Sequence, residues 1–236
     1  MSLPALGRQA LAEALGTAIL VAGIVGSGIA AHELSPNDAG LQLLENTAAT
    51  VGVLVAIILA LGPVSGAHFN PVVTLGARLF GDITTRAACA YVGAQVIGGA
   101  VGAMAANLMF GLGVVNLSTH HRASGPHLFA EAVATFGLVL VIFSLVRSGR
   151  GHAAAYAVGA YIGGGYFFTS STSVANPAVT LARTLSNTFA GIAPASAPGF
   201  ITAQVIGAFA AVGCVVILYP RRAAATDPAF PMEVPA

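Results

Sequence analysis

The chain has 236 residues, of which 56% are hydrophobic and only 7% charged, and its formal net charge is +1. Soluble domains carry about 25% charged residues, so this composition excludes an ordinary soluble protein. It holds no basic or acidic block, which excludes a nucleic-acid partner. The mean hydropathy of +0.86 predicts an all-α membrane protein. Cys89 and Cys214 lie inside apolar runs and indicate small core residues rather than a disulfide framework.

Six apolar stretches approach the length of about 20 residues that a helix needs to cross a bilayer. They lie at about 9–31, 45–62, 87–110, 128–147, 153–170 and 199–219. The first follows Arg8, but it is too long for a signal peptide and contains Glu13, so we expect an uncleaved span. The residues after Pro220 are rich in Ala and Pro. We therefore expect one transmembrane domain at 1–220 and a disordered tail at 221–236.

Two short segments between these spans share the pattern Asn-Pro-(small apolar)-Val-Thr-Leu. Their first three residues are Asn70, Pro71 and Val72 in one copy and Asn176, Pro177 and Ala178 in the other. Asn is a favoured N-cap, and Pro is tolerated at the first helical position. The helix-like sequence continues only over 70–80 and 176–186, which is too short to cross a bilayer. Both copies therefore predict half-helices.

The two halves of the chain repeat in the same order. Residues 11–17 match 129–135, residues 70–75 match 176–181, and residues 93–99 match 202–208. Each half holds three spans, an odd number, so the second half must enter from the opposite side of the membrane. The sequence therefore predicts an inverted repeat, with one half at about 8–110 and the other at about 127–219.

The arginines predict cytoplasmic termini. All nine basic side chains are arginine. With both termini inside, the inner segments hold Arg8, Arg78, Arg86, Arg147, Arg150, Arg221 and Arg222. The outer segments hold only Arg122 and Arg183, which agrees with the positive-inside rule. The outer pair His120 and His121 has no carboxylate or Cys nearby in sequence, so we expect a solvated loop there and no metal site.

Glu13 and Glu131 lie inside predicted spans, one in each half. Intramembrane carboxylates are costly and normally face the protein interior. One interpretation is a proton relay. We favour a second, in which each carboxylate accepts hydrogen bonds from backbone N–H groups of a re-entrant segment.

Inverted topology brings the two half-helix N-termini together near the membrane midplane, where each carries roughly half a positive charge. The side-chain amides of Asn70 and Asn176 can then face the gap. The segments 64–69 and 171–175 must expose carbonyls, which is tolerated only beside protein or a water-filled cavity. Such a track suits passive permeation of small neutral solutes and opposes cations. No nucleophile–base pair, metal cluster or phosphate loop accompanies it in the sequence, so we expect neither an enzyme nor a cofactor.

These features resemble the major intrinsic protein family of aquaporins and aquaglyceroporins. Residues 65–71 are similar to its first signature and residues 175–178 to its second. The positions shared with the family's repeated pattern are Glu13, Glu131, Gln95 and Gln204. The resemblance covers about residues 8–220 and implies a right-handed bundle of six transmembrane helices plus two half-helices. It also implies a homotetramer in the inner membrane with one pore per subunit. Asn70 and Asn176 would line the constriction, and His68 would contribute a carbonyl.

Two positions depart from the family pattern. Val72 replaces Ala, and Val179 stands where the family usually has Arg. Spacing places the outer selectivity filter at Thr50, Gly164, Ser173 and Val179. Without an aromatic, His or Arg, such a ring should be wide and weakly polar. Arg183 lies one helical turn beyond Val179, where it either guards the vestibule or makes a structural pair.

Residues 176–192 also resemble the bacterial aquaglyceroporin branch associated with arsenic-resistance operons. That resemblance implies passage of neutral arsenite, a polyol-like hydroxide, besides water and glycerol-like polyols.

Three alternatives stay open. One is a water-selective aquaporin. Another is an ion-coupled secondary transporter, which also uses inverted repeats and broken helices and for which Glu13 and Glu131 are the candidate charges. The third is an intramembrane enzyme using Ser170, Ser171 or Ser173, for which the sequence offers no matched base.

Overall fold

The computed structural model describes residues 4–220. The predicted tail at 221–236, with Arg221 and Arg222, lies outside the described residues. In chain order the α-helices of the described part are α1 (Ala5–Leu34), α2 (Ala39–Ser65), α3 (Pro71–Phe80), α4 (Thr85–Met109), α5 (Gly125–Arg147), α6 (Ala154–Phe168), α7 (Pro177–Ala182) and α8 (Ala197–Leu218). Short 3-10 turns lie at Gly151–Ala153, Arg183–Leu185 and Pro194–Ser196. The prediction of an all-helical chain is confirmed.

The predicted spans correspond to α1, α2, α4, α5, α6 and α8. All of these except α6 are long and apolar enough to cross a bilayer, α8 being counted together with the turn before it. α6 has only 15 residues, fewer than the predicted stretch 153–170. It is shorter because the backbone becomes extended at Thr169, with φ −113° and ψ 139°, and enters the second broken segment there.

Both half-helices begin where the Asn-Pro pairs predicted. α3 starts at Pro71 and α7 at Pro177, each directly after an extended Asn whose side chain accepts backbone N–H groups of the first turn. α7 has six residues and continues as the 3-10 turn Arg183–Leu185. The two helix starts and the half-helix lengths are thus confirmed.

The packing pattern is the same in both halves. α1 packs against α2 and α4, and α5 packs against α6 and α8. α2 and α6 join the halves. α3 and α7 each contact both α4 and α8, so each half-helix packs against the last long helix of its own half and of the other. This arrangement holds the two half-helix N-termini against one another.

Glycines allow the closest helix contacts at equivalent places in the two halves. A Cβ on Gly98 of α4 would lie 2.1 Å from the Ala14 carbonyl oxygen of α1. A Cβ on Gly207 of α8 would lie 2.2 Å from the Ala132 carbonyl oxygen of α5. Small residues at helix interfaces are what packing in lipid requires, because apolar burial gives little driving force there.

Gly98→Ala is therefore expected to destabilise the bundle by about 2 kcal/mol, since the added methyl must push α1 and α4 apart. The measurement is the thermal unfolding midpoint in detergent. The matched control is Gly93→Ala on the same helix, where an added Cβ meets nothing within 4 Å. If both variants unfold at the wild-type temperature, the close approach of α1 and α4 does not limit stability.

A candidate channel between two half-helices

The chain before each half-helix has an unusual backbone. Ala67 and Phe69 precede α3 with φ values of 52° and 48°, and Ser173 and Ala175 precede α7 with 52° and 47°. Thr172 also has a positive φ, of 63°. The left-handed region costs an L-residue about 1–2 kcal/mol, so both re-entrant segments need support from the surrounding helices.

Glu13 supports the first segment from α1. The carboxylate is fully buried and accepts hydrogen bonds from the His68 N–H at 2.9 Å and the Phe69 N–H at 2.6 Å. It also accepts from Ser65 Oγ at 2.6 Å and from Gln95 Nε2 at 2.8 Å. A buried carboxylate is tolerated when several donors surround it.

Glu131 supports the second segment in the same way. It is fully buried and accepts from the Val174 N–H and the Ala175 N–H, each at 2.9 Å. Gln204 Nε2 donates to it at 2.6 Å, as Gln95 does to Glu13. Each carboxylate therefore binds the two N–H groups that directly precede an Asn, which matches the acceptor interpretation.

The two Asn side chains bridge the halves. Asn70 Nδ2 donates to the Ala175 carbonyl at 2.8 Å, and Asn176 Nδ2 donates to the Phe69 carbonyl at 2.8 Å. Their Oδ1 atoms accept from backbone N–H groups of α3 and α7. An amide carries two N–H donors. The bridge uses one, so each Asn keeps a second donor at the cavity that both residues line.

A cavity of about 350 Å³ lies between the halves. Its apolar lining includes Leu20, Ile24, Leu54, Leu138, Val158 and Ile162. Residues 66–69 and 172–174 of the re-entrant segments also line it. Pro71, Val72, Pro177 and Ala178 do not line the cavity. Val72 is instead buried in a cluster with Phe80 and Val139, so its departure from Ala changes packing behind the channel.

The outer ring differs from the one that sequence spacing predicted. Thr50, Ser173 and Val179 line the cavity as expected, and Tyr166 lines it in place of Gly164. The Tyr166 hydroxyl lies 3.2 Å from Thr50 Oγ1. Gly164 lies on the exposed face of α6, and its assignment to the filter is wrong.

The error has a simple geometric cause. Successive helical residues are about 100° apart, so Gly164 lies roughly 200° around the helix from Tyr166. Tyr166 continues the cavity-facing stripe of Val158 and Ile162, spaced at four residues. That spacing was readable in the sequence and would have identified the residue. The ring therefore contains an aromatic side chain.

Tyr166→Ala is expected to widen this ring and to raise the flux of a four-carbon polyol relative to glycerol severalfold. Gly164→Ala is the matched control on the opposite face of α6 and should leave that ratio unchanged. Swelling of proteoliposomes in erythritol and in glycerol measures both. An unchanged ratio in Tyr166→Ala would remove Tyr166 from the filter.

His68 and Arg183 also line the cavity. His68 Nδ1 lies 3.1 Å from Thr74 Oγ1, and its ring packs edge-on against Tyr91. Arg183 is buried, and its Nε donates to the Ala190 carbonyl. Val179 is thus followed along the cavity lining by a guanidinium, whose direction the sequence left open.

The loop between the halves packs against the segment that follows α7. Its backbone at Asn116 and Ser118 donates to the carbonyls of Leu185 and Thr184. Arg122, in the same loop, binds the carbonyls of Gly191 and Phe189 at 2.9 and 3.0 Å. Burial lowers the pKa of Arg122. His120 and His121 are exposed, and the described residues hold no group of three His, Cys, Asp or Glu fit for a metal ion.

Comparisons with known proteins agree with this architecture. Residues 1–173 match the family described as Major intrinsic protein. The chain is 48% identical over 218 residues to Aquaglyceroporin AqpS of Rhizobium meliloti (strain 1021), covering 92% of this chain and 93% of that protein. It is 32% identical over 186 residues to a probable TIP-type aquaporin of Medicago truncatula, covering 73% of each.

A solved structure supports the fold. The X-ray structure of the aquaglyceroporin from Plasmodium falciparum matches with a TM-score of 0.69 at 20% identity, covering 89% of this chain and 95% of that chain. The family match spans most of the chain, and the relative from Rhizobium meliloti spans nearly all of it. This protein therefore belongs to the major intrinsic protein family, whose members are integral membrane channels rather than enzymes.

Proposed function

We propose that this chain is a passive channel for water, glycerol-like polyols and neutral metalloid hydroxides such as arsenite. The observation that carries the proposal is the pair of Asn amides at the meeting point of the half-helices, each bound across to the opposite re-entrant segment. They offer donors in a cavity whose re-entrant segments supply carbonyl acceptors. A neutral hydroxylated solute can exchange water for these groups, whereas a cation meets two positive helix ends.

Val179 supports a broad solute range, whereas Tyr166 narrows the ring relative to the aromatic-free ring that the sequence predicted. Thr50, Tyr166, Ser173 and Val179 surround the cavity there, and Val179 fills far less space than the Arg usual in the family. The 48% identity to an aquaglyceroporin favours polyols over water alone.

Arsenite is supported by chemistry as well as by the resemblance. Trivalent arsenic bonds readily to thiols, and a channel must release what it admits. Neither cysteine lines the cavity, since Cys89 is exposed and Cys214 lies part-buried elsewhere on the bundle. The lining instead offers hydroxyl, amide and carbonyl groups, which exchange hydrogen bonds without forming covalent bonds.

We further propose a homotetramer in the inner membrane with cytoplasmic termini. Leu11, Leu15 and Ile19 form an apolar stripe on the outside of α1, each about half exposed. Such a stripe suits contact with lipid or with a second subunit. The excess of arginine in the inner segments supports the orientation.

The test is flux through purified protein in proteoliposomes, followed by light scattering after an osmotic gradient. Glycerol should enter faster than into empty vesicles, and arsenite uptake, measured by elemental analysis, should rise in parallel. Neither flux should change with an uncoupler. Water flux without glycerol flux would favour a water-selective channel, and collapse with the uncoupler would favour an ion-coupled transporter.

A further inference from the structure

Arg183 is a buried cation at the outer end of the cavity. Its side chain is only 5% exposed, yet it contributes to the lining together with Tyr166, Ser173 and Val179. It belongs to the 3-10 turn that continues α7. Position 183 is one helical turn beyond 179, on the same face of the half-helix.

The guanidinium is held in place by the loop that follows α7. Arg183 Nε donates to the Ala190 carbonyl. Arg122 binds the carbonyls on either side of it, those of Phe189 and Gly191. Two arginines thus bind three successive carbonyls of one turn, and that turn fixes the direction of Arg183.

Among the described residues, no carboxylate hydrogen-bonds to Arg183. Glu131 is the carboxylate in its neighbourhood, and its oxygens already accept from Val174, Ala175 and Gln204. Arg122 adds a second positive charge nearby. A guanidinium cannot lose its proton at physiological pH, so a fixed positive potential faces the outer part of the cavity.

We propose that Arg183 is the residue that excludes cations at the outer mouth, one turn beyond the wide ring at Val179. The proposal rests on the passive-channel function above and deepens it. At about 5 Å, in surroundings with an effective dielectric constant of about 20, a unit charge disfavours a monovalent cation by about 3 kcal/mol, or roughly two hundredfold. Neutral polyols are stabilised there instead, because the guanidinium N–H groups donate hydrogen bonds to their hydroxyl oxygens. A ring wide enough for polyols thereby remains closed to potassium.

The main experiment compares Arg183→Gln with the wild type and with Arg122→Gln. Arg122 also holds the turn at 189–191, but it does not line the cavity. Proteoliposomes carrying a fluorescent potassium reporter give the potassium flux, which is divided by the glycerol flux of the same preparation. We expect this ratio to rise at least tenfold in Arg183→Gln and clearly less in Arg122→Gln, which weakens the supporting turn but leaves the Arg183 guanidinium in the cavity lining.

A second pair of variants keeps Arg183 and its bond to Ala190. Val179→Glu places a carboxylate one turn away, where it can pair with the guanidinium and cancel its potential. Val179→Gln has nearly the same size without the charge. The potassium-to-glycerol ratio should be at least tenfold higher for Glu than for Gln. Equal ratios for this pair overturn the proposal even if Arg183→Gln does not fold.

The proposal is overturned if Arg183→Gln conducts glycerol and its ratio of potassium flux to glycerol flux equals that of the wild type. Equal ratios for the Glu and Gln variants, or a rise in Arg122→Gln as large as in Arg183→Gln, also overturn it. These results differ from failure of the proposed function, in which the wild-type protein itself passes no glycerol.

Discussion

Glu13→Ala is expected to lower the thermal unfolding midpoint in detergent by about 10 °C or more and to abolish glycerol flux. The variant leaves four donors without their acceptor: the N–H groups of His68 and Phe69, Ser65 Oγ and Gln95 Nε2. Each buried donor left unpaired costs about 1–3 kcal/mol. In a chain of this size 1 kcal/mol corresponds to roughly 2–4 °C. The left-handed residues Ala67 and Phe69 then lose the contact that offsets their strain.

The control for Glu13→Ala is Glu33→Ala, which removes an exposed carboxylate near the other end of α1. Its midpoint should stay within about 1 °C of wild type, since surface substitutions usually change stability by less than 0.5 kcal/mol. Glu13→Gln tests the chemistry. Its side-chain amide retains one acceptor oxygen, but its NH2 group faces the N–H donors of the segment. Its unfolding midpoint should therefore lie between those of Glu13→Ala and the wild type. A Glu13→Ala protein as stable as Glu33→Ala would show that the re-entrant segment does not depend on this carboxylate.

The second half of the network has fewer bonds. Ser171 is the repeat equivalent of Ser65, but its buried Oγ has no partner among the described residues, whereas Ser65 Oγ donates to Glu13. Thr135 is the repeat equivalent of Thr17. Its buried Oγ1 has no partner among the described residues, whereas Thr17 Oγ1 donates to the Glu13 backbone carbonyl. Glu131→Ala should therefore reduce the unfolding midpoint by less than Glu13→Ala, in proportion to three donors rather than four. The first re-entrant segment, before α3, is the more firmly held of the two.

The half-helices and their supports were predictable from the sequence because their causes are local or repeated. Asn70 and Asn176 are N-caps followed by Pro, and a helix start needs only those neighbours. Glu13 and Glu131 are costly in a membrane unless donors surround them, and the re-entrant segments were the obvious source of free N–H groups. The inverted repeat followed from counting spans.

The outer ring was not predictable by counting residues. Thr50 lines the cavity, as the spacing from Asn70 predicted. Gly164 was placed incorrectly because the chain between α6 and Asn176 is irregular, and a shift of two residues turns a helical side chain to the opposite face. The direction of Arg183 depends on the turn at Ala190. No local pattern in the sequence encodes that contact.

Val179→Arg is expected to reduce glycerol flux at least tenfold while water flux falls less than threefold. Val179 is 3% exposed and faces the ring with Thr50, Tyr166 and Ser173. A long guanidinium there occupies space that glycerol needs and that a water molecule can still pass. A narrowing that costs a passing solute about 1.4 kcal/mol lowers its flux tenfold.

The comparison for Val179→Arg is Val179→Ala, which should pass glycerol at least as fast as the wild type. Because position 179 lies four residues before Arg183, the new guanidinium lies beside a like charge, which at about 5 Å and a dielectric constant of about 20 costs about 3 kcal/mol. The thermal unfolding midpoint of each variant in detergent is therefore measured beside its fluxes. Water flux and glycerol flux, measured on the same vesicles, distinguish a narrowed ring from a misfolded protein. Misfolded protein loses both fluxes together, and a side chain that points away from the ring changes neither. Only a selective loss of glycerol flux would show that Val179 sets the size of the solutes that pass. The ratio of glycerol flux to water flux then measures how much of the broad solute range depends on that one side chain.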